Sequence, residues 1–232
     1  MPTPVRARSG SRGPVGRLDL ETIVAAGLEI AARPGAKTLS VRELGAHLKA
    51  DPTAIYRHVD NKDDLIRLLI DRLIGLSADR ITVPPSDWKA YLRESATGTL
   101  DVFLRYPAIG SQATHLSSKG SQELRQMEGI LAAFEAAGLD ERQVVRYYGI
   151  WSIYALSFSA GAAQDRMHSV DPQSETLWVD RDLDVDASQY PRVHSARDEL
   201  NTLTDVAAYL DGVELIIESA EGAAHRQTRA AD

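Results

Sequence analysis

The sequence predicts an all-α protein with a small N-terminal helical unit and a larger C-terminal one. Apolar residues recur at helical spacing along most of its 232 residues. No window shows a sustained two-residue alternation of β-branched residues between hairpin turns. The clearest break is the segment 81–86, which contains Pro84-Pro85. We therefore expect one unit at residues 19–80 and a second at 87–226.

The composition excludes several classes of protein. With 44% hydrophobic and 25% charged residues, the chain is neither collagen-like nor wholly disordered. It contains no cysteine, which excludes disulfides, thiolate metal sites and a cysteine nucleophile. No apolar segment matches a signal peptide or a lipid-facing span. We therefore expect a cytoplasmic protein that does not bind a membrane.

Charge is distributed unevenly along the chain. The formal net charge is −7, but residues 1–70 carry 11 Lys/Arg and 8 Asp/Glu, whereas residues 71–232 carry 15 and 25. A weakly basic end can approach an anionic polymer while the acidic remainder keeps the protein dissolved. Residues 1–18 are expected to form a disordered basic arm. Two interpretations of this arm stay open: a solubilising tail, or a segment that enters a DNA minor groove.

The N-terminal unit begins with two well-marked helices. The first should start after the N-cap Asp19 and stop at Pro34-Gly35. The second starts at a capping box, in which Ser40 is the cap and Glu43 reaches back to it, and ends near Leu48.

A third helix is predicted at 52–59, because Asp51 is an N-cap residue and Pro52 suits the first helical position. About three residues separate it from the second helix, so the two must cross steeply, as in a helix-turn-helix. Two helices that merely pack together would show the same spacing. Asn61 then caps a fourth helix that runs to about residue 80.

The third helix has one apolar side, formed by Ile55 and Val59. Its other faces carry hydrogen-bond donors and an aromatic hydroxyl suited to phosphates and base edges: Thr53, Tyr56, Arg57 and His58. Tyr56 has a competing interpretation as a core tyrosine with its hydroxyl at the surface. His47, on the second helix, is expected to be a solvated residue.

The C-terminal unit is predicted to be helical at 88–105, 108–116, 122–137, 141–166 and 198–224. Between them, residues 167–191 are rich in Asp and weakly periodic, and we expect a mobile loop there, with short helical turns as an alternative.

Four segments of the N-terminal unit resemble the DNA-binding head of the tetracycline-repressor (TetR) family of bacterial regulators: residues 31–35, 39–44, 53–59 and 61–65. Residues 88–226 resemble the family's ligand-binding and dimerising domain in helix order, in length and in the Arg-Tyr-Pro segment at 105–107. The resemblance implies an all-α fold with a three-helix helix-turn-helix DNA-binding head and a larger helical domain for effector binding and dimerisation.

The resemblance also implies DNA contacts. Lys62 should grip a backbone phosphate through its ammonium and the nearby helix amides. The candidate DNA-binding residues are Ser40, Arg42, Asp51, Pro52, Thr53, Ala54, Tyr56, Arg57, His58 and Lys62. Many family members have glycine where this chain has Lys49, so either Lys49 is left-handed or the turn has another shape.

Large side chains in the C-terminal unit predict a cavity for an apolar or aromatic effector. The candidate ligand-binding residues are Tyr91, Phe103, Tyr106, Gln112, His115, Met127, Phe134, Tyr147, Trp151, Tyr154 and Phe158. An aromatic row at helical spacing is also what a packed core requires, and that alternative stays open. No second histidine lies one helical turn from His115, so neither a metal nor a cofactor is expected.

The function implied is that of a ligand-responsive regulator: a repressor that binds a palindromic operator as a homodimer and is released by a small molecule. The last predicted helix supports a dimer, because it has more apolar surface than one core-facing side needs. The alternatives are a helical protein-interaction module or a small-molecule-binding enzyme that retains a vestigial helix-turn-helix. Because phosphate-loop, nucleophile-elbow and zinc-protease motifs are missing, we predict no catalytic residues.

Overall fold

The computed structural model describes residues 18–33, 35–168 and 183–231, and in these ranges the regular structure is entirely helical. The all-α prediction is therefore confirmed. The α-helices are α1 (Leu20–Ala31), α2 (Val41–Leu48), α3 (Pro52–Ile55), α4 (Lys62–Ala78), α5 (Trp88–Arg105), α6 (Pro107–Gly110), α7 (Ser121–Ala136), α8 (Glu141–His168), α9 (Pro191–Thr202) and α10 (Asp205–Ala231). A 3₁₀ helix, Ser111–Thr114, follows α6. Most of the predicted arm and the centre of the acidic segment, at 1–17 and 169–182, lie outside the described residues.

Capping side chains start the helices of the N-terminal unit where the sequence predicts. The Asp19 carboxylate accepts from the Thr22 N–H at 2.8 Å, and the Ser40 hydroxyl accepts from the Glu43 N–H at 3.1 Å. The hydrogen bond from the Thr22 amide lowers the pKa of Asp19 below its ordinary value, and the Thr22 hydroxyl lowers the pKa further. The apolar sides of α1 to α4 then close over a core that includes the fully buried Ile23, Leu44, Ile55, Leu65 and Leu69.

α4 is shared between the two units. Its first half contributes Leu65 and Leu69 to the N-terminal core, and its second half packs against α5 and α7. The same apolar cluster continues into Phe103 of α5 and Ile109 of α6. The N-terminal unit is therefore joined to the body through packed side chains as well as through the chain itself.

A second core fills the body between α5, α7, α8 and α10. Its centre is aromatic: Phe158 stacks on Tyr209 with ring centroids 4.3 Å apart, and Phe134 lies against Trp151 edge to face. Arg93 of α5 forms a bidentate ion pair with Glu214 of α10 at 2.6 and 2.7 Å, and its hydrogen bonds lower the pKa of Glu214. Across the described ranges, no helix combines the length and apolarity that crossing a bilayer demands.

Three predicted elements are wrong in extent. The helix predicted at 52–59 stops at Ile55. Beyond it the backbone N–H groups bond to carbonyls three residues earlier, as in a 3₁₀ helix; one such bond runs from the His58 N–H to the Ile55 carbonyl. The helix predicted at 108–116 is α6 followed by the 3₁₀ helix, for the same reason.

The third error concerns the helix predicted at 198–224, which is two helices. α9 already begins at Pro191, inside the segment predicted as a loop, because proline suits a first helical position. The chain is extended at Leu203, and Thr204 then caps α10 by accepting from the Ala207 N–H at 3.1 Å.

Candidate functional site

The turn between α2 and α3 is closed by a left-handed lysine. Lys49 has φ 52° and ψ 36°, so of the two alternatives the sequence left open, the left-handed one is realised. The Ala50 N–H donates to the Gly45 carbonyl at 2.9 Å. A β-carbon at Gly45 would come within 2.9 Å of the Ala50 oxygen, so only glycine allows this approach. The two residues fix how α3 projects from α2.

The α3 segment buries two aliphatic side chains and exposes the rest. Ile55 and Val59 are 0% and 5% exposed. Tyr56 is 48% exposed, which excludes the alternative of a core tyrosine. Exposed side chains on α2, on the α3 segment and at the start of α4 include Arg42, Thr53, Arg57, His58 and Lys62. The sequence-predicted contact residues thus lie on adjoining, accessible elements, with Ala54 half-buried among them.

Two of the predicted contact residues have a structural task as well. The Asp51 carboxylate caps α3, accepting from the Thr53 hydroxyl at 2.7 Å and the Thr53 N–H at 2.8 Å. These hydrogen bonds hold the pKa of Asp51 below its ordinary value, and the bond from the Thr53 hydroxyl has the larger effect. Ser40 is occupied in the same way as the cap of α2, and Pro52 is the exposed first residue of α3.

His47 is exposed, as the sequence predicts, and its side chain also contacts the end of α1. Its imidazole lies 2.8 Å from an Arg33 guanidinium nitrogen and 2.9 Å from a Glu29 carboxylate oxygen. The guanidinium only donates, so Nδ1 accepts and Nε2–H donates to Glu29. His47 therefore ties α2 to the end of α1. Sequence reasoning missed it because the partners lie on another helix.

A cavity of about 240 Å³ lies where α4, α5, α7 and α8 meet the 111–118 segment. Its lining residues are Ile70, Ile74, Ser95, Thr99, Ala113, Thr114, His115, Leu116, Ser117, Ser118, Glu123, Gln126, Met127, Ile130, Tyr148, Trp151, Ser152, Ala155 and Leu156. The volume lies just below the roughly 300–1,000 Å³ of typical small-molecule pockets, so it suits a compact ligand. Two of its lining residues, Ile70 and Ile74, come from α4, the helix that also carries Lys62.

Three of the predicted ligand-binding residues line this cavity: His115, Met127 and Trp151. The other eight do not line it: Tyr91, Phe103, Tyr106, Gln112, Phe134, Tyr147, Tyr154 and Phe158. The Tyr147 hydroxyl donates to the Ser219 carbonyl at 2.9 Å, and the Tyr154 hydroxyl donates to the Tyr209 carbonyl at 3.0 Å. Most of the aromatic row on α8 is thus core against α10, the alternative that the sequence left open.

Phe103 and Tyr106 pack in the core shared with the N-terminal unit, while Tyr91 and Phe134 belong to the core of the body. Gln112 lies beside the cavity, with its amide 3.5 Å from the Ser111 hydroxyl.

Apart from His115, the polar lining residues were missed from the sequence. Tyr148 rather than Tyr147 lines the cavity, because one residue turns a helical side chain by about 100°. The apolar pattern of α5 and α7 identifies the core-facing side of each helix and gives no sign of the polar residues that face the cavity. These are Ser95, Thr99, Glu123 and Gln126. The available signal was Glu123, three residues after Gly120, where an acidic residue supports a helix start.

A cluster of hydrogen bonds joins the cavity wall to α4. The Asp71 carboxylate accepts from the backbone N–H groups of Gln122 and Glu123 at 3.2 and 3.0 Å. It also lies 3.1 Å from the Ser118 hydroxyl, whose one hydrogen is directed to the closer Glu123 carboxylate, 2.5 Å away. The N-cap residue of α7, Gly120, has no side chain, so Asp71 caps α7 from another helix. A β-carbon at Gly120 would collide with the Asp71 carboxylate.

Comparison with known proteins gives a consistent result for the body. A family model described as the tetracyclin repressor-like C-terminal domain matches residues 83–221. The HTH-type transcriptional repressor DrrR1 of Streptomyces coeruleorubidus is 27% identical over 76% of this chain and 64% of its own length. The chain thus spans just under two thirds of that relative. The class D tetracycline repressor of Escherichia coli is 24% identical over 88% of this chain and 90% of its own length.

A solved structure gives the same result for the fold. Apo ActR of Streptomyces coelicolor superposes with a TM-score of 0.74 at 20% identity, covering 91% of this chain and 98% of its own. ActR has also been solved in complex with actinorhodin, with a TM-score of 0.73 at 20% identity over 88% of this chain and 96% of its own.

Proposed function

This chain belongs to the TetR family of transcriptional regulators, and from that premise we propose that it represses transcription in the cytoplasm by binding a palindromic operator as a homodimer. A small-molecule effector that enters the body releases it. Its relatives are named as regulators or repressors, which favours regulation over the catalytic and protein-interaction alternatives.

The observation that carries the proposal is the orientation of the α3 segment. Ile55 and Val59 anchor it from below, while Tyr56, Arg57 and His58 stay exposed beside Lys62 at the start of α4. A segment held in this way offers donors to phosphates and base edges without rearrangement. In a dimer, two such segments about 34 Å apart reach successive major grooves, which is why the operator is expected to be palindromic.

The dimer uses the exposed apolar side chains of α8 and α10. Ile153 and Val145 of α8 are 72% and 61% exposed, and Leu215 of α10 is 66% exposed. Two glycines of α8, Gly149 and Gly161, have open space around them. Aliphatic side chains so exposed on two neighbouring long helices mark a surface that a partner covers.

Effector and operator compete through α4. Ile70 and Ile74 of this helix line the cavity, Asp71 between them holds the start of α7, and Lys62 lies at its DNA-facing end. A ligand that prefers one position of this wall therefore also prefers one position of the DNA-binding segments. A coupling of about 1–3 kcal/mol between the two sites suffices for a 5- to 150-fold change in operator affinity.

The proposal predicts that the purified dimer binds duplex DNA from upstream of its own gene, with an affinity that falls steeply as salt rises. Tyr56→Ala and Lys62→Ala should each weaken binding about tenfold or more, and Lys62→Ala should lower the salt slope by about one. Fluorescence anisotropy with labelled fragments between 50 and 200 mM salt measures both quantities.

Arg192→Ala serves as the control, because this exposed cation lies on α9 in the body, outside both the DNA-facing segments and the cavity lining. It should leave affinity and salt slope unchanged. Unaltered binding by both Tyr56→Ala and Lys62→Ala would refute the contact assignment, and failure of the wild type on every upstream fragment would refute the function.

A further inference from the structure

The effector cavity has an aromatic and aliphatic interior. Trp151 and Met127 face it together with Ile70, Ile74 and Ile130 from the neighbouring helices. Trp151 is 1% exposed to solvent and packed edge to face against Phe134, so its ring is held in place. Such a wall suits a flat apolar ring system.

Glu123 places a formal charge on the opposite wall. Its carboxylate accepts from the Ser118 hydroxyl at 2.5 Å, the Lys119 N–H at 2.8 Å and the Ser117 hydroxyl at 3.1 Å. Burial acts to raise the pKa of Glu123, but these hydrogen bonds outweigh it and hold the pKa below its ordinary value. Glu123 is therefore an anion at neutral pH, and its formal charge is not neutralised by these partners, because the hydroxyl and backbone N–H groups that donate to it are themselves uncharged.

No cation of the cavity wall balances this charge. Among the described residues that line the cavity there is neither lysine nor arginine. Two arginines on the flanking helices have other partners: Arg67 donates to the backbone carbonyl of the lining residue Ser117 at 2.5 Å, and Arg125 pairs with Asp79 at 2.6 Å. In the described structure neither guanidinium forms an ion pair with Glu123. His115 is the remaining basic side chain of the described lining, and it lies exposed at the mouth.

Charge in a partly desolvated cavity has a large effect on which ligands enter. An anion placed near an uncompensated carboxylate is repelled more strongly than in water, whereas a cation is attracted more strongly. Trp151 and Tyr148 add to the preference, because aromatic faces attract cations.

We infer that the effector is a compact aromatic cation, with its ammonium group against Glu123 and its rings against Trp151 and Met127, and that carboxylates and phosphates are excluded. This inference rests on the proposed function, which makes the cavity the effector site. It narrows the expected apolar or aromatic effector to one charge class.

Three fluorescent probes with one ring system test the inference: 9-(aminomethyl)anthracene, 9-anthracenemethanol and anthracene-9-carboxylate. Binding to the 232-residue protein is followed by probe anisotropy at pH 8, where an ordinary histidine is neutral. The amine should bind at least about tenfold more tightly than the carboxylate, with the alcohol between them.

Glu123→Gln should bring the amine-to-carboxylate affinity ratio close to one, whereas Glu123→Asp, which keeps the charge, should retain most of it. Glu128→Gln is the matched control, because Glu128 lies exposed on α7 outside the cavity lining. Both affinities are measured on the same preparation of each variant, so that a loss of folded protein affects both and cancels in the ratio.

The inference is overturned if the wild type binds the carboxylate as tightly as the amine, if it binds none of the probes, or if Glu123→Gln keeps the wild-type ratio. Operator binding is measured in parallel without any probe. If the protein binds its operator but does not prefer the amine over the carboxylate, this inference alone is refuted. If the wild type does not bind its operator, the proposed function is refuted.

Discussion

Lys49 adopts a backbone conformation that usually belongs to glycine. A left-handed conformation costs an ordinary residue roughly 1–2 kcal/mol, and here the surrounding turn enforces it at φ 52°. Gly45 does not supply the left-handed residue of this turn, because it is already required for the close approach to the Ala50 oxygen. The strain is thus concentrated in one exposed residue of the helix-turn-helix.

Replacing this residue should stabilise the protein. Lys49→Gly removes the left-handed penalty and restores some backbone entropy to the unfolded chain, for a net gain of about 0.5–1 kcal/mol. Urea unfolding followed by circular dichroism measures the change. Lys37→Gly, at an exposed lysine without a positive φ, should be neutral or destabilising. A Lys49→Gly protein that unfolds at lower urea than the wild type would contradict this account.

The helix α7 depends on a side chain from α4 for its first turn. Asp71 satisfies two of the backbone N–H groups that the start of α7 leaves unpaired, at 3.2 and 3.0 Å. Removing an N-cap carboxylate costs about 0.5–2 kcal/mol in general. Asp71 therefore contributes both to stability and to the link between cavity and DNA-binding end.

Asp71→Ala should lower the free energy of unfolding by about 1 kcal/mol and weaken the effect of an effector on operator affinity, while effector binding itself persists. Urea unfolding measures the first effect, and operator titrations with and without effector measure the second. Asp198→Ala, at a side chain that is 88% exposed, is the control. Equal responses of the two variants would remove Asp71 from the coupling.

The elements that sequence reasoning located well are those whose start signals are local. Asp19, Ser40 and Asn61 each accept from the backbone N–H three residues later, so α1, α2 and α4 begin where predicted. α3 ends early because the chain tightens into hydrogen bonds between residues three apart, such as His58 N–H to the Ile55 carbonyl, which no local signal in the sequence reports. The α9–α10 break was readable at Thr204 but was hidden by the continuous helical periodicity around it.

The exposed residues of the N-terminal unit could be predicted from the sequence, whereas most of the residues that line the cavity of the body could not. Tyr56 was placed outside because its neighbours Ile55 and Val59 supply the buried side. On α8, apolar residues occur on every face, and the sequence does not tell which face meets α10 and which meets the cavity. Tyr147 was consequently predicted as a ligand-binding residue, whereas Tyr148 lines the cavity.

Assembly of the whole molecule gives a further test. Ile153→Glu places a charge on the most exposed of the large apolar side chains of α8 in the described structure. Because a buried, unpaired charge opposes association, the variant should run as a monomer in sedimentation velocity at concentrations where the wild type is a dimer. Operator affinity should fall with it, since one recognition segment alone binds weakly.

Leu124→Glu provides the comparison, because Leu124 of α7 is 63% exposed and lies outside the proposed interface. It should leave the dimer intact. A dimeric Ile153→Glu protein, or equal dissociation of both variants, would argue that the two chains meet through another surface.

The length of α4 has a mechanical consequence. Its 17 residues span about 25 Å at 1.5 Å per residue, with the cavity residues Ile70 and Ile74 in its middle and Lys62 at its first position. If a bound molecule tilts the helix by about 5° around Ile74, simple geometry displaces Lys62, about 18 Å away, by about 1.6 Å. A small movement of α4 around a bound ligand would thus change the distance between the two DNA-binding segments of a dimer, so that they no longer match the spacing of successive major grooves.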